Sequence, residues 1–409
     1  MLSVRDAEAI IFSLVQPLDN QRDTEIVDLL ADNRILAVPV TSNLDFPHWD
    51  NSAMDGYAVR YEDVQHCSES APAILEVVEK IPAGYQPTCT IQAGQAARIF
   101  TGAVMPQGAD TVVMQERTRN ECDRVFILSP PKLHEFVRYK ASYYQAGTEL
   151  LPAGIKLNAP EIAVLAAAQC VQLRVYRKLR VAVFSGGNEL VTPDKPLQPG
   201  QIVDSNQYAI ASLVRQTGAK VFMLGIVKDD PEVLKQTISQ AVANADIIIS
   251  SGGVSVGDYD YVEEILESLN AEIHIRSVGI KPGKPLTVAT FANPKPCLYF
   301  GLPGNPAAAL VVFWRFVQPA MRKLSGLADN WQSFVRARSL HELRSDGKRE
   351  TYLWGKLNLV DGFYQFDVAG GNHSSGNLIN LAQTNGLAIL PVGKTLISPG
   401  EEVEVLQVG

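Results

Sequence analysis

Between residues 179 and 324, short apolar runs alternate with helix-like stretches, and this rhythm constrains the fold more than any other feature. Predicted strands cover residues 181–184, 221–227, 247–250, 273–279 and 298–300, and predicted helices lie near 208–217, 231–243, 261–269 and 306–323. Such alternation is typical of a mostly parallel sheet covered on both faces by helices. Ligands of such sheets bind at the carboxyl ends of the strands.

Three of the predicted strands end in glycine-rich turns: SGGNEL after Phe184, SSGGVS after Ile249 and GLPGNP after Phe300. One such turn is weak evidence, because turn chemistry alone accounts for it. Three in one α/β domain indicate a binding site, since a loop that opens a helix directs backbone N–H groups at an anion. The spacing matches neither GxxxxGK[ST] nor GxGxxG, so it supports neither a P-loop nor a Rossmann site.

Acidic residues accompany these turns. Asp204 and Asp230 precede predicted helices, and helix capping is the favoured interpretation for both. Glu189, Asp229 and Asp260 follow strand ends that we expect to converge, and there coordination of Mg²⁺ or another divalent cation is at least as plausible as capping. Mg²⁺ takes one or two protein carboxylates and fills its shell with phosphate and water, so not all of these acids can be ligands.

Lys281 and Lys284 flank Pro282 and Gly283, and Pro285 follows. A solvated lysine pair on a surface turn is the simplest interpretation. The two prolines, however, restrict the backbone more than an ordinary surface turn requires. Fixed ammonium groups stabilise phosphate or another oxyanion as point charges, so this turn is a candidate oxyanion site.

The length of 409 residues predicts two to four domains. We predict an N-terminal mixed domain of residues 1–49 with 141–178, an inserted β domain of 50–140, a central α/β domain of 179–327, and a small C-terminal β domain of 328–409. Helices are predicted from Ser3 onward and again over residues 23–33.

Several classes of protein are disfavoured. The net charge is −8 and no Lys/Arg cluster could follow a nucleic-acid backbone, so no nucleic-acid partner is expected. The five cysteines form no CxxC pair and the six histidines show no HxxxH or HxH spacing, which favours reduced thiols over a zinc site. The acidic N-terminal segment is not typical of a signal peptide, and no apolar run is long enough for a membrane span. We therefore expect a cytoplasmic protein without a membrane partner.

Five motifs occur in an order that resembles one family. They are DNSAMDGYAV (50–59), RIFTGAVMPQGADTVVMQE (98–116), SGGVSVGDYDY (251–261), IKPGKP (280–285) and GLPGNP (301–306). Together they resemble the molybdopterin molybdenumtransferases, the MoeA family, which includes the gephyrin E domain. The resemblance implies that adenylated molybdopterin is hydrolysed and molybdate is inserted at its dithiolene with the help of a divalent cation. It also implies a homodimer, with molybdopterin adenylyltransferase and molybdoenzyme maturation proteins as partners.

The resemblance further assigns roles to individual positions. It implies catalytic roles for Asp55, Thr101, Glu189, Asp229, Asp260, Lys281 and Lys284, with Glu189, Asp229 and Asp260 as metal ligands. It implies substrate binding by Ser251, Gly252, Gly253, Ser255, Pro285, Pro303, Gly304, Pro306, Arg349 and Ser375. The two lysines, Arg349 and Ser375 resemble a molybdate-binding group, and Asp55 and Thr101 are implied to complete the site of the partner subunit.

Four positions depart from the family pattern. SGGNEL replaces the usual STGDEL, which places Gly186 and Asn188 where a threonine and an acid are expected. RYKASYY replaces RRRGED and places Tyr143 at an acidic position, and Ala308 replaces a serine. Two alternatives to the enzyme therefore remain. One is a weakened family member that acts as a dimeric binding or scaffold protein, and the other is a different nucleotide hydrolase on the same fold. The retained Glu189 and the lysine turn favour the enzyme.

Overall fold

The computed structural model describes residues 1–253, 261–329, 332–371 and 373–408. The chain forms two compact units. The first contains Met1–Val38, Ala153–Ala159 and Gln172–Gly409, and the second contains Pro39–Pro152 and Pro160–Val171. The finer division into four domains stays a prediction.

A six-stranded sheet lies at the centre of the first unit. Its strand order is Lys220–Val227, Arg180–Gly186, Ile247–Ser251, Cys297–Leu302, Pro285–Phe291 and Glu272–Ser277. The first four strands are mutually parallel, Pro285–Phe291 runs antiparallel to both of its neighbours, and Glu272–Ser277 again has the direction of the first four. The predicted mostly parallel sheet is therefore confirmed. The strand Pro285–Phe291 was not predicted, because its first residue belongs to the lysine turn.

This sheet buries both faces, because alternate side chains of a strand point to opposite sides. Val181, Val183 and Ile249 lie in one apolar core, whereas Phe184 and Ile248 lie in another. The helices Asn206–Gln216 and Pro306–Val312 contribute to the first core, and Pro231–Asn244 and Val262–Ser268 contribute to the second. The helix that begins at Pro306 continues through a π-helical turn, Phe313–Val317, into Gln318–Leu324.

The N-terminal helix is Val4–Leu14, capped by Ser3 as predicted. The helix predicted over residues 23–33 is wrong: Thr24–Val27 is a strand that pairs antiparallel with Leu173–Tyr176. Three of its four residues are β-branched, which favours a strand, and the partner comes from a distant part of the chain. This pairing joins the two segments of the first unit that flank the second unit.

A second β-sheet closes on itself near the C-terminus. Its order is Glu350–Val360, Phe363–Val368, Phe334–Ser339, Glu402–Gln407 and Gly386–Leu390, and the last strand pairs back onto the first. The short strand Ile280–Lys281 adds in parallel to Glu350–Val360, with Lys281 beside Thr351. This addition brings the lysine turn to the small β domain.

The second unit contains a six-stranded sheet ordered Thr111–Met114, Gly56–Val59, Gln95–Ile99, Ala73–Ile81, Arg124–Ile127 and Thr118–Glu121. Its helical elements are Tyr61–Val64, the 3-10 turn Gln115–Arg117 and the helix Ala159–Ala167, whose first residue belongs to the first unit. Short strands elsewhere are Val40–Thr41, Asn51–Ser52, Val137–Arg138, Glu149–Leu151, Leu190–Val191, Ile202–Val203, Leu343–Arg344 and Leu396–Ile397, with a 3-10 turn at Ile379–Leu381. In the described part of the chain, no helix combines the length and apolarity needed to cross a membrane.

Candidate functional site

The three glycine turns meet at Gly252. Their strands are parallel neighbours in the sheet, so their carboxyl ends lie at the same edge. Gly252 has φ +80°, and a Cβ there would lie 2.4 Å from the backbone oxygen of Gly186. On its other side, the Gly252 N–H donates to the Leu302 carbonyl at 3.2 Å. Only glycine fits both the backbone conformation and the space.

A cavity of about 1100 Å³ lies over this junction. It brings together most residues that the sequence assigned to the site: Glu189, Asp229, Ser251, Gly252, Gly253, Lys281, Lys284, Pro285, Pro303, Gly304, Pro306, Arg349 and Ser375. Asp260 and Ser255 lie outside the described residues. Asp55 and Thr101 belong to the second unit. The cavity therefore collects residues that are up to 186 positions apart in the sequence, from Glu189 to Ser375.

The floor of the cavity is polar but internally satisfied. The buried hydroxyl of Ser185 donates to Asp204 Oδ1 at 2.9 Å and lies 3.0 Å from Ser251 Oγ. Because the Ser185 proton is directed at Asp204, the Ser251 hydroxyl donates to Ser185. Asp204 also accepts the Gln207 N–H at the start of a helix, as predicted for a capping acid. Ser251 therefore fixes the central turn.

The acidic end of the cavity contains Glu189 and Asp229. Asp229 Oδ2 accepts the N–H of Asn188 at 3.1 Å, and Asn188 Oδ1 accepts the N–H of Asp229 at 3.2 Å. Asp230 caps the next helix, where its Oδ1 accepts the N–H groups of Glu232 and Val233. Of these two neighbouring acids, Asp230 caps the helix and Asp229 lines the cavity.

The described residues contain no cluster of three or more His, Cys, Asp or Glu side chains that could enclose a metal by themselves. Two carboxylates, Glu189 and Asp229, nevertheless line the same cavity. That donor set fits Mg²⁺, which uses few protein carboxylates and completes its shell with substrate phosphate and water. Glu189 and Asp229 are accordingly the described residues that would hold it.

A cationic end of the cavity lies beside Pro285–Phe291, which two strands of the sheet separate from the strand that precedes Glu189. Because the strand Ile280–Lys281 pairs beside the strand that follows Arg349, the Arg349 guanidinium donates to the Ile280 carbonyl at 3.0 Å. The Lys281 ammonium forms an ion pair with Asp346 at 2.9 Å. Lys284 lines the cavity from the same turn. This end can bind an oxyanion through several positive charges.

Ser375 is held at the cationic end by the GLPGNP loop. The side-chain amide of Asn305 donates to Ser375 Oγ at 3.1 Å, and the Ala307 N–H donates to the Ser375 carbonyl at 3.1 Å. Because Ser375 Oγ accepts from Asn305, its own hydrogen remains for another acceptor. The hydroxyl can therefore donate to a ligand in the cavity.

Sequence reasoning missed Asn305, Arg344 and Asp346. Asn305 lies inside a motif whose prolines and glycine were assigned, and its polar side chain between them was the available signal. Arg344 lines the cavity. Asp346 contacts Lys281 from 65 residues away, a pairing for which the sequence contains no local signal.

In the second unit, Thr101 and Asp55 are in contact. Asp55 Oδ1 accepts the Thr101 N–H at 2.8 Å and the Thr101 hydroxyl at 2.7 Å. The first of these bonds, and then the second, lowers the pKa of Asp55, which is therefore ionised at neutral pH. The two positions thus form one local acidic feature.

Known families match nearly the whole chain. The MoeA N-terminal region (domains I and II) matches residues 2–168, a probable molybdopterin-binding domain matches residues 182–323, and the MoeA C-terminal region (domain IV) matches residues 336–408. A molybdopterin molybdenumtransferase of Nostoc sp. is 70% identical over 409 residues, which are 100% of this chain and 94% of that protein. The Haemophilus influenzae molybdopterin molybdenumtransferase is 33% identical over 96% of each chain.

Solved structures agree with the fold. The crystal structure of the molybdopterin biosynthesis MoeA protein from Pyrococcus horikoshii has a TM-score of 0.85 and 26% identity, with complete coverage of both chains. The α/β domain with glycine turns over a charged cavity, together with a separate C-terminal β domain, defines a multidomain protein of the molybdopterin-binding type. The chain belongs to the MoeA family, and the resemblance drawn from its motifs is confirmed.

Proposed function

We propose that the chain is a molybdopterin molybdenumtransferase of molybdenum cofactor biosynthesis, which inserts molybdenum from molybdate into adenylated molybdopterin and releases AMP. The observation that carries this proposal is the single cavity that joins the glycine turns to Lys281, Lys284, Arg349 and Ser375. The 70% identity of the whole chain to a curated molybdopterin molybdenumtransferase supports the same reaction.

Two parts of the cavity, the glycine turns and the cationic end, suit two different anions. The N–H groups of Gly187, Asn188 and Gly252 are bonded within the protein, so we assign the phosphates of the pterin nucleotide to other backbone N–H groups of the glycine turns. The cationic end suits molybdate, a tetrahedral dianion, which binds the ammonium groups and guanidinium and accepts the Ser375 hydroxyl hydrogen. The dithiolene must therefore lie between the phosphate and the cationic end, where its sulfur atoms reach the metal of molybdate.

Hydrolysis of the adenylate builds negative charge on the phosphate oxygens near Glu189 and Asp229. Glu189 and Asp229 would hold Mg²⁺ or a similar divalent cation, which would neutralise that charge. Without such a cation, the two carboxylates would repel the substrate. We assign the same role to Asp260, which lies outside the described residues.

The first test compares two lysines of equal exposure. Lys281 and Lys394 are each 42% exposed and each is paired with a carboxylate, but only Lys281 lines the cavity. We expect Lys281→Ala to weaken molybdate binding about tenfold or more, because a hydrogen bond to a charged group contributes roughly 1.5–3 kcal/mol. Lys394→Ala is the control. Equal molybdate affinity of both variants in calorimetry would exclude the cationic end as the molybdate site.

The second test is a Mg²⁺ titration of AMP release from adenylated molybdopterin. We expect Glu189→Gln to raise the Mg²⁺ concentration needed, or to abolish release, while the pterin nucleotide still binds. The isosteric amide keeps the shape and removes the charge, so a structural effect alone does not shift the metal dependence. Full AMP release by the native chain in excess EDTA would rule out this part of the mechanism.

We further propose a cytoplasmic homodimer that receives its substrate from a molybdopterin adenylyltransferase and passes the cofactor to molybdoenzyme maturation proteins. In this dimer, Asp55 and Thr101 of one chain would complete the site of the other. Mixing Asp55→Ala chains with Glu189→Ala chains should then restore part of the lost activity, because one site of each heterodimer has both residues intact. No recovery in stable heterodimers would contradict the shared site.

A scaffold without catalysis, or a different nucleotide hydrolase, is not favoured. A scaffold has no need for cations directed into a cavity. A simple nucleotide hydrolase has no need for a second oxyanion end beside the phosphate turns.

A further inference from the structure

An ion pair joins Lys281, which lines the cationic end of the cavity, to Asp346, which is not a lining residue. The Lys281 ammonium donates to Asp346 Oδ2 at 2.9 Å, with side-chain exposures of 42% and 38%. Among the three cations assigned to molybdate, only Lys281 has a carboxylate partner within the described part of the chain. Lys281 therefore differs from Lys284 and Arg349, because an anion of the protein is already bound to it.

The turn that carries Asp346 is fixed by its own hydrogen bonds. Asp346 Oδ1 accepts the Lys348 N–H at 3.0 Å, and the Gly347 N–H donates to Ser345 Oγ at 2.9 Å. The Ser345 hydroxyl in turn donates to the Lys394 carbonyl at 2.7 Å. Because both carboxylate oxygens are used, one by the turn and one by Lys281, the turn presents the charge of Asp346 in a defined direction.

Asp346 is ionised at neutral pH. The hydrogen bond from Lys281, followed by that from the Lys348 N–H, lowers the pKa of this carboxyl group. A dianion that approaches Lys281 therefore meets a fixed negative charge as well as the ammonium. The ammonium has three donor hydrogens, so it can contact both anions, but the two anions repel each other.

We propose that Asp346 is an internal counter-anion of the molybdate position, which holds the Lys281 ammonium when no oxyanion is bound and sets the oxyanion affinity below its attainable value. This inference depends on the proposed function, since it requires that Lys281 binds molybdate. Asp346 is a positioning residue in this scheme. It acts on the substrate only through Lys281 and through its charge.

The proposal predicts a gain of affinity when the charge is removed. Asp346→Asn keeps the side-chain shape and an acceptor for the Lys348 N–H, and it should tighten molybdate binding roughly two- to fivefold, the size expected for one exposed ion pair. The gain should depend on ligand charge, because Coulomb energy is proportional to it. Perrhenate, a tetrahedral monoanion, should therefore gain only about the square root of the factor seen for molybdate.

The matched control is the ion pair Lys394–Glu401 in the same C-terminal region. Its two side chains are each 42% exposed and lie 2.7 Å apart, but neither lines the cavity. Glu401→Gln should leave oxyanion affinity unchanged. Asp346→Ser provides a second uncharged variant, which should change molybdate affinity in the same direction as Asp346→Asn.

The experiment is isothermal titration of the full chain with molybdate and with perrhenate at low ionic strength, where an exposed charge is least screened. Tighter molybdate binding by both Asp346 variants, with a smaller gain for perrhenate, supports the proposal. Unchanged or weaker molybdate binding in both variants overturns it, as does an equal gain for the two ligands.

Lys281→Ala separates failure of this inference from failure of the proposed function. If Lys281→Ala weakens molybdate binding while the Asp346 variants bind like the native chain, the inference alone is wrong. If Lys281→Ala binds molybdate like the native chain, or if the native chain does not bind it, the proposed molybdate site fails and this inference fails with it.

Discussion

Gly252→Ala tests whether the three glycine turns meet as the structure shows. The added Cβ would lie 2.4 Å from the Gly186 backbone oxygen, which cannot move without shifting a central strand end. The backbone at Gly252 also has φ +80°, where any other L-residue is strained. The substitution therefore combines a conformational cost with a steric one.

The two costs can be separated with Gly393→Ala. Gly393 has φ +89°, but a Cβ there would meet no atom within 4 Å. Its substitution should cost only the left-handed conformation, roughly 1–2 kcal/mol. Gly252→Ala adds overpacking, typically about 1–3 kcal/mol, so its total should be roughly 2–5 kcal/mol.

Urea unfolding followed by tryptophan fluorescence measures this difference, because Trp314 and Trp354 are buried in the core of the first unit. Gly252→Ala should also weaken binding of the pterin nucleotide, since the turn that offers N–H groups must shift, whereas Gly393→Ala should leave nucleotide binding unchanged. Equal destabilisation by the two substitutions would refute the close contact between the turns.

Two further predictions concern single hydrogen-bonded groups. Burial alone would raise the pKa of Asp246, but hydrogen bonds from Arg177 and Arg180 lower it from 3.8 to about 2. This contributes about 2 kcal/mol of stability, which is present above about pH 4 and is lost as the pH falls toward 2. The difference in unfolding free energy between the native chain and Asp246→Asn should therefore shrink from pH 7 to pH 3, and a constant difference would contradict it. Asn305→Asp makes residue 305 an acceptor, which diverts the Ser375 hydroxyl hydrogen from molybdate. Molybdate affinity should fall, and calorimetry should show a smaller fall in a Ser375→Ala background; equal falls would indicate an effect of charge alone.

The sequence was sufficient to predict the α/β domain and the edge of its sheet where the cavity lies. Apolar runs that end in glycine turns identify strand ends, and parallel strands place those ends at one edge. Val181 is buried in one core, and Phe184 and Ile248 are buried in the other. This is expected because alternate side chains of a strand point to opposite faces of the sheet. These features depend on local residues, so they can be inferred without the structure.

What could not be predicted depends on pairing between distant segments. Thr24–Val27 is a strand because Leu173–Tyr176 supplies its partner, and the sequence does not specify that partner. Similarly, Lys281 meets Asp346 because Ile280–Lys281 pairs in register with residues 350 and 351. A register shift of one residue would reverse which side chains face the cavity. Site residues contributed by such pairings become visible only in the folded chain.

The distribution of charge in the cavity bears on how its substrate is oriented. Its described lining contains four cationic side chains, Lys281, Lys284, Arg344 and Arg349, and three acids, Glu189, Asp204 and Asp229. Asp204 is buried and its charge is satisfied by Ser185 and Gln207, so the acidic end rests on Glu189 and Asp229. At that end Asn188 pairs with Asp229, and the motif resemblance implies an acid at this position in the family. The amide keeps both hydrogen bonds and removes one charge, so the acidic end repels phosphate less and attracts a divalent cation less. Compared with a relative that has an acid at this position, we expect the same substrate orientation but half-saturation at a higher Mg²⁺ concentration.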